Sequence, residues 1–223
     1  MDGLNIFQFW HDDSLPDDVA PMVNSWAALN PDAHYRRFNE ATAAELVERE
    51  YGRRVIAAYR ACRLPAMRSD IFRLCALHAE GGLYVDVGFT CIKPAKEFLP
   101  DRGRGLLLLR PKPLPTATTR WNIPTGFMFF RHRHDPLLET VLQQIVSNVE
   151  QRSGNNAWRV TGPAALTDLY TRVCNNTGPN VFEGIKILEW DAVYELMVME
   201  RPAYKSAPDH WLAVRDSGMS IFC

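Results

Sequence analysis

One uninterrupted segment of this chain combines a helix, two glycines, a short strand and an aspartate. The helix predicted at Ala66–Glu80 follows Pro65, a residue that favours the first turn of a helix, and ends at the pair Gly81-Gly82. The strand-like triplet Leu83–Val85 begins at once and stops at Asp86. In open α/β sheets the ligand crevice lies beyond the carboxyl ends of the strands. The segment therefore predicts an α/β fold with Asp86 beside a ligand.

Helix and strand patterns alternate along the rest of the chain, which is typical of α/β proteins. Apolar runs bounded by turn residues predict strands at Asn5–Trp10, His34–Phe38, Leu106–Leu109, Thr125–Phe130 and Ile185–Trp190. Helical spacing predicts helices at Pro16–Leu29, at Thr42–Tyr51 with a cap near Thr42 and an end at Gly52, from Pro136 to about Glu150, and from Pro163 to about Val173. The tail Tyr204–Phe222 has no clear period.

Composition excludes several classes of protein. The chain has 223 residues, enough for one domain with a substantial core, and its 25 basic and 26 acidic side chains leave a net charge of -1. No basic field attracts nucleic acid, so we expect no nucleic-acid partner. There is no run of about 18 apolar residues, and the first residues lack the basic and apolar regions of a signal peptide. We therefore expect neither a transmembrane segment nor a signal peptide.

The cysteines give no sign of a disulfide framework or a metal site. Their number is odd and none forms a CxxC pair: they are Cys62, Cys75, Cys91, Cys174 and Cys223. This pattern predicts reduced thiols in a reducing compartment.

Two charged residues of the predicted helix share one surface, because Asp70 and Arg73 are three positions apart. A separate stripe of the helix is apolar and is expected to face a core; it consists of Met67, Ile71, Leu74 and Cys75. Taken alone, the charged pair could be an ordinary ion pair on a solvated face. Its position just before the glycine pair and Asp86 favours a functional role.

The same residues resemble a known signature. Ala66–Arg73 reads Ala-x-x-Ser-Asp-Ile-x-Arg, and Gly81–Asp86 reads Gly-Gly-Leu-Tyr-Val-Asp. This pattern resembles the DXD-sugar-binding glycosyltransferases, which include family 32 α-glycosyltransferases, capsular polysaccharide and lipopolysaccharide sugar transferases, and the catalytic domains of the large clostridial toxins. Weaker similarities occur at Ile6–Trp10, Ser25–Pro31 and Ile92–Pro94, and the resemblance is weak after about residue 100.

The resemblance implies a GT-A-like fold, which is α/β and Rossmann-like, with a mixed central sheet flanked by helices. It implies a single glycosyltransferase domain over residues 1–223. About residues 1–100 would bind the nucleotide sugar, and about residues 101–223 would form the acceptor-side half and a closing tail.

The resemblance also assigns roles to side chains. It implies catalytic roles for Asp70, Arg73 and Asp86, since a carboxylate accepts hydrogen bonds from sugar hydroxyls and a guanidinium donates them. The donor-binding residues are Phe9, Trp10, Ser69, Asp70, Arg73, Tyr84, Asp86 and Trp211. Trp10 corresponds to an aromatic residue that stacks on the base, and a core tryptophan at a strand end is the alternative. For His210 and Trp211 the alternative is a packed surface pair.

The chain departs from the family pattern at one position. The family's DXD motif ligates Mn²⁺ or Mg²⁺, but the triplet here is Asp86-Val87-Gly88, and glycine has no side-chain ligand. Three alternatives are open. Asp86 holds a metal together with other groups, such as Asp12, Asp13 or His210; arginine or lysine neutralises the diphosphate instead of a metal; or the protein binds nucleotide sugars without catalysis.

We expect the chain to transfer a sugar from a nucleoside diphosphate sugar, more readily a UDP-sugar than a GDP-sugar, to an acceptor hydroxyl with retention. A glycan or lipid-linked glycan is the expected acceptor. By analogy, we expect bacterial surface-polysaccharide synthesis by an enzyme that is cytoplasmic or peripheral to the inner membrane. An inactive nucleotide-sugar-binding protein is the alternative, because of Gly88. An unrelated nucleotide-binding enzyme is disfavoured, since neither GxGxxG nor a P-loop sequence occurs.

Overall fold

A computed structural model describes residues 3–111, 121–175, 180–193, 196–207, 210–217 and 219–223. A mixed sheet flanked by helices forms the centre of the molecule, so the expected α/β architecture is confirmed. The strands are β1 (Asn5–Phe9), β2 (His34–Phe38), β3 (Gly82–Val85), β4 (Phe89–Cys91), β5 (Gly105–Pro111), β6 (Trp121–Asn122), β7 (Phe127–Phe130), β8 (Ile185–Glu189) and β9 (Met197–Met199).

The 7-stranded sheet has the order β2-β1-β3-β7-β5-β6, with β8 paired to β5. β1 is parallel to β2 and β3, whereas β7 is antiparallel to both β3 and β5. β4 and β9 form a separate antiparallel pair. The patterns did not predict β4, β6 and β9, because strands of two or three residues are too short to show a period.

The helices are α1 (Ala20–Leu29), α2 (Glu40–Ala61), α3 (Pro65–Glu80), α4 (Pro136–Glu150), α5 (Ala157–Val160), α6 (Pro163–Cys174) and α7 (Trp211–Ser217). The helical backbone breaks at Gly52, whose φ is 68° and ψ is -162°, where the helix predicted at Thr42–Tyr51 was expected to end; a second helical segment follows directly and continues to Ala61, so α2 is two segments joined at a kink. The helix was expected to be capped near Thr42, and Thr42 takes part in the cap, although the N-cap residue itself is Asn39. Asn39 caps α2 by accepting the Thr42 N–H at 2.8 Å, and the Thr42 hydroxyl accepts the Asn39 N–H in return.

Alternate side chains of the central strands fill two cores on opposite faces of the sheet. Phe7 and Tyr84 belong to the main core, together with buried residues of α2, α3 and α4. Ile6 and Leu83 belong to the second core, together with Trp26 of α1. Because β1 and β3 are buried on both faces, their sequences are nearly continuously apolar. Most residues of α3 are buried, so its polar side chains also lie against protein.

Gly82 is a position that only glycine fits. Its φ is +120°, and a Cβ there would lie 2.5 Å from the Asn5 backbone oxygen in β1. Gly82→Ala is expected to lower the free energy of unfolding by about 3 kcal/mol, through backbone strain and displacement of β1. Gly52→Ala is the control, because its φ is +68° but nothing lies within 4 Å of the added Cβ. It should cost the strain alone, about 1.5 kcal/mol. Urea unfolding measures the free energy of unfolding of both variants. Equal losses in the two variants would contradict a role for the close contact between Gly82 and the Asn5 backbone.

The cysteines are all free thiols in this structure. Across the described ranges, no helix combines the length and the apolar character that crossing a membrane requires.

Candidate active site

Helix α3 and strand β3 bring five polar side chains together at the carboxyl end of β3. Ser69, Asp70 and Arg73 come from α3, Tyr84 comes from β3, and Asp86 directly follows the strand. The chain reverses between α3 and β3, so the amino-terminal half of the helix lies beside the carboxyl end of the strand. The contiguous segment that stands out in the sequence therefore folds into one cluster.

Arg73 is the centre of this cluster. Its Nη2 lies 3.2 Å from Asp70 Oδ1 and 3.3 Å from Asp86 Oδ1, and it donates to Ser69 Oγ at 3.0 Å. Its Nη1 donates to Thr125 Oγ1 at 2.8 Å. The planar fork of a guanidinium can make all these contacts at once. One cation thus fixes the spacing of two carboxylates.

Tyr84 connects the helix to the aspartate after the strand. Its hydroxyl oxygen lies 2.7 Å from Ser69 Oγ, and it donates to Asp86 Oδ1 at 2.9 Å. The Arg73 guanidinium carbon lies 4.6 Å from the centre of the Tyr84 ring, a cation–π distance. Burial raises the pKa of Tyr84 well above its usual value, so the phenol stays a neutral donor. The direction of the Asp86 carboxylate is therefore set by buried groups.

The Asp70–Arg73 pair is buried, which excludes an ion pair on a solvated face. The relative exposure of Asp70 is 9% and that of Arg73 is 5%. Burial raises the pKa of Asp70 to about 6, although the charge of Arg73 and a hydrogen bond from Thr161 act to lower it. That hydrogen bond joins Thr161 Oγ1 to Asp70 Oδ2 at 3.0 Å. The side chain of Asp86, by contrast, is 40% exposed, so it is the carboxylate open to a ligand.

Sequence reasoning missed the contributions of Thr125, Gly126 and Thr161. The Gly126 carbonyl accepts the Asp86 N–H at 2.8 Å, and a Cβ on Gly126 would lie 2.5 Å from Asp86 Oδ2. A larger residue at this position would displace the carboxylate. The dipeptide Thr125-Gly126 opens a strand that was predicted, but only the antiparallel pairing of β7 with β3 brings it to Asp86.

A short turn of the tail, Ala203–Ser206, covers this end of the sheet. The Ala203 N–H donates to Asp18 Oδ2 at 2.7 Å. The Tyr204 ring meets the Trp10 ring edge-on, with centroids 5.0 Å apart. Lys205 Nζ lies 2.7 Å from the point that a Cβ on Gly88 would occupy. The tail thus reaches the position where the DXD pattern departs from the family.

The structure places the predicted aromatic donor contacts differently. Phe9 and Trp10 are 6% and 7% exposed. Phe9 packs on Phe72 in the main core and so does not face a ligand. Trp10 lies just after β1, and among the described residues its Nε1 has no hydrogen-bond partner. Because Trp10 is 7% exposed and the Tyr204 ring packs on it, this structure leaves little of the Trp10 ring open to a base.

The remaining predicted tail contacts are His210 and Trp211, beside the start of α7. Trp211 begins α7 and packs against the main core and on His210, with ring centroids 5.8 Å apart. His210 also lies near Tyr204, at 6.1 Å between centroids. Asp209, which precedes them, lies outside the described residues.

Two of the acidic side chains considered as metal ligands have polar partners of their own. Asp12 pairs with His11, and Asp13 accepts a hydrogen bond from Asn39. Within the described ranges, no group of three or more histidine, cysteine, aspartate or glutamate side chains could hold a metal ion.

Comparison with protein families identifies the segment that builds this cluster. Residues 16–103 match the family model described as "Glycosyltransferase sugar-binding region containing DXD motif". The match includes Asp70, Arg73 and Asp86, and it covers less than half of the chain.

A curated relative is the initiation-specific alpha-1,6-mannosyltransferase of Candida albicans. The two proteins are 23% identical over 224 residues, and the alignment covers 83% of this chain and 58% of the mannosyltransferase. The chain therefore spans little more than half the length of the relative.

Solved structures resemble the whole chain. The PaToxG glycosyltransferase superposes with a TM-score of 0.56 at 16% identity, over 96% of this chain and 87% of that chain. The UDP-bound glycosyltransferase domain from the YGT toxin gives a TM-score of 0.53 at 10% identity, over 89% of this chain and 83% of that chain. The fold is GT-A. The expectation from the sequence is confirmed on this point.

The cluster is suited to holding a ligand rich in hydroxyl groups. Asp86 offers a partly exposed carboxylate that accepts hydrogen bonds, whereas the Arg73 side chain is 7% exposed and its guanidinium donates within the cluster. Contacts with Asp70, Tyr84 and Ser69 fix the side chains of Asp86 and Arg73, so little side-chain freedom remains to be lost when a ligand binds. The Asp86 carboxylate can therefore accept a hydrogen bond from a hydroxyl group without first changing its orientation.

Proposed function

We propose that this chain is a glycosyltransferase that moves a sugar from a nucleoside diphosphate sugar to an acceptor hydroxyl. The observation that carries the proposal is the buried Asp70–Arg73 pair joined to Asp86, within the segment that matches a sugar-binding family model. The GT-A fold is consistent with it. We propose one domain, with the donor in about residues 1–100 and the acceptor and closing tail in about residues 101–223.

In this proposal the three charged residues orient the donor. Asp86 accepts from donor hydroxyls at the open end of the cluster, and Arg73 donates to sugar or phosphate oxygens. Asp70 fixes the Arg73 guanidinium through the 3.2 Å contact and accepts from the sugar when the site is filled. Catalysis then depends mainly on positioning and on stabilising the charge of the leaving group.

The proposed reaction exchanges one bond for another at the anomeric carbon. The bond from that carbon to the diphosphate oxygen breaks, and its electron pair leaves with the nucleoside diphosphate. The acceptor oxygen forms the new bond and loses its proton to an oxygen of the leaving diphosphate. We propose retention of the anomeric configuration, which the resemblance to retaining enzymes supports.

UDP-sugars are the first donors to test, because one structural neighbour is a UDP-bound glycosyltransferase domain. GDP-mannose belongs in the same panel, because the curated relative is named as a mannosyltransferase. Thermal shifts with UDP-glucose, GDP-mannose and ADP-glucose, each with and without Mn²⁺, test the proposal. A donor at about 100 times its Kd should stabilise the fold by about 2.7 kcal/mol. A panel in which nothing raises the melting temperature would contradict a donor site.

The proposed acceptor is a glycan or a lipid-linked glycan. A role in bacterial surface-polysaccharide synthesis, in the cytoplasm or at the inner membrane, rests on the resemblance of the signature alone. The curated relative is fungal.

The second candidate function is nucleotide-sugar binding without turnover, and Gly88 is the observation that favours it. The two functions share the binding step and differ in product formation. Release of free sugar or nucleoside diphosphate from a donor that raises the melting temperature distinguishes them.

The pH dependence of turnover should follow the protonation of the Asp70 carboxylate. With a pKa of about 6, Asp70 is a carboxylate above that pH and protonated below it, and only the carboxylate pairs with Arg73. We expect kcat/KM to fall as the pH drops through about 6, tenfold per unit at the limit. Asp70→Asn should be poorly active at every pH and lack this acidic limb. A limb of equal slope in the variant would assign the titration to another group.

A further inference from the structure

We propose that the ammonium group of Lys205 takes the place of the divalent cation and holds the diphosphate of the donor. This inference rests on the proposed function and names the charge that acts on the leaving group. Its central observation is the position of Lys205 Nζ, 2.7 Å from the point where a Cβ on Gly88 would lie. Gly88 is the position of the second carboxylate in the DXD pattern.

Pairing between short strands fixes this position. β9 is antiparallel to β4, which begins just after Gly88, and the Glu200 N–H continues the pairing by donating to the Gly88 carbonyl at 2.8 Å. The Ala203–Ser206 turn is anchored by the bond from Ala203 to Asp18. Lys205 Nζ donates back to the Glu200 carbonyl at 2.8 Å. An ammonium has three N–H donors, so this bond leaves donors for phosphate oxygens.

The residues present do not fit a cation held by a DXD motif. Gly88 supplies no side-chain oxygen ligand, its carbonyl accepts the Glu200 N–H, and a side chain at this position would meet Lys205. A positive ammonium beside Asp86 disfavours a second positive charge there. In the part of the chain that the structure describes, no other acidic or histidine group completes a set of three ligands. The missing carboxylate at Gly88 and the ammonium group of Lys205 both make this site more positive than a DXD motif would.

Lys205 is suited to a diphosphate by its charge and its surroundings. Burial lowers its pKa from the usual value, while the negative charge of Asp86 acts to raise it. A half-buried cation interacts with phosphate more strongly than one in bulk water. When the bond to the anomeric carbon breaks, the electron pair moves to a diphosphate oxygen, and Lys205 donates a hydrogen bond to that phosphate group.

Binding of UDP in EDTA tests this inference apart from turnover, with GDP as the probe if it raises the melting temperature more. Isothermal titration calorimetry should give the wild-type protein a similar Kd in EDTA and in Mn²⁺. Lys205→Ala should weaken binding in EDTA about 10- to 100-fold, the loss of one charge-assisted hydrogen bond. Lys96→Ala, at an exposed lysine, is the matched control and should bind as wild type.

A double variant tests the exchange of charge directly. Gly88→Asp with Lys205→Ala restores the second carboxylate and removes the ammonium, so UDP binding should return only when Mn²⁺ is present. Gly88→Asp alone should pair with Lys205 and weaken binding in EDTA.

The outcomes separate the two proposals. Two results would overturn the role of Lys205: UDP binding by the wild-type protein that requires Mn²⁺, or binding by Lys205→Ala that is as tight as binding by Lys96→Ala. Either result would leave the glycosyltransferase proposal standing. Absence of UDP and GDP binding by the wild-type protein, with or without Mn²⁺, would overturn both.

Discussion

Replacing Arg73 with alanine is expected to lower the free energy of unfolding by about 4 kcal/mol and kcat/KM by about 1000-fold. The loss of stability arises because Asp70 is 9% exposed and would remain as a buried carboxylate without its cation. The loss of turnover arises because Arg73 also holds Asp86 and Ser69. Chemical denaturation and donor turnover at a temperature where the variant is folded measure the two effects.

Two arginine variants serve as controls. Arg73→Lys keeps the charge but loses the planar fork, so it should recover part of the stability and little of the turnover. Arg53→Ala removes an exposed arginine of α2 and should change neither quantity. Wild-type turnover in Arg73→Ala would mean that the sugar site lies elsewhere. Wild-type stability would mean that Asp70 is neutral at the pH of the measurement.

Replacing Asp86 with asparagine is expected to lower kcat/KM by about 100-fold while changing the free energy of unfolding by less than about 1 kcal/mol. The side chain of Asp86 is 40% exposed, so no charge is left buried without compensation. Asparagine keeps an oxygen that can accept from Tyr84, but it loses the charge that pairs with Arg73 and that we propose faces the donor. The contrast with Arg73→Ala separates a residue that binds the ligand from one that also supports the fold.

The matched control for Asp86 is Asp101→Asn, which neutralises an exposed aspartate outside the cluster. It should leave turnover and stability at wild-type values. A large loss of stability in Asp86→Asn would show that this carboxylate is mainly structural. Unchanged turnover would remove it from the donor site.

The part of the site that lies on α3 and β3 could be predicted because its signals are contiguous. Pro65 sets the start of the helix, the glycine pair sets its end, and the three-residue spacing places Asp70 and Arg73 on one surface. Gly82 explains why the turn is so tight, since its backbone lies against β1. The order of these elements also predicted the α/β architecture, because helices that alternate with apolar strands form few architectures; the GT-A fold was implied only by the resemblance of the signature.

The rest of the site depends on contacts between residues distant in sequence. Thr125 and Thr161 reach Arg73 and Asp70 across separations of 52 and 91 residues, and neither has a local signature. Lys205 reaches Gly88 because β9 pairs with β4, and three-residue strands carry no periodic pattern. The sequence left open whether Trp10 stacks on a base or packs in the core at a strand end; in the structure it is 7% exposed and the Tyr204 ring packs on it.

Donor turnover by the wild-type protein and by Asp86→Asn tests the central claim most directly. Each nucleotide sugar that raises the melting temperature is incubated with both proteins, in EDTA and in Mn²⁺, and the released nucleoside diphosphate and the sugar product are quantified. We expect the wild-type protein to release nucleoside diphosphate from at least one donor, and Asp86→Asn to do so about 100-fold more slowly. Donors that bind to the wild-type protein without any turnover, or equal turnover by the two proteins, would contradict the assignment of a glycosyltransferase site to Asp70, Arg73 and Asp86.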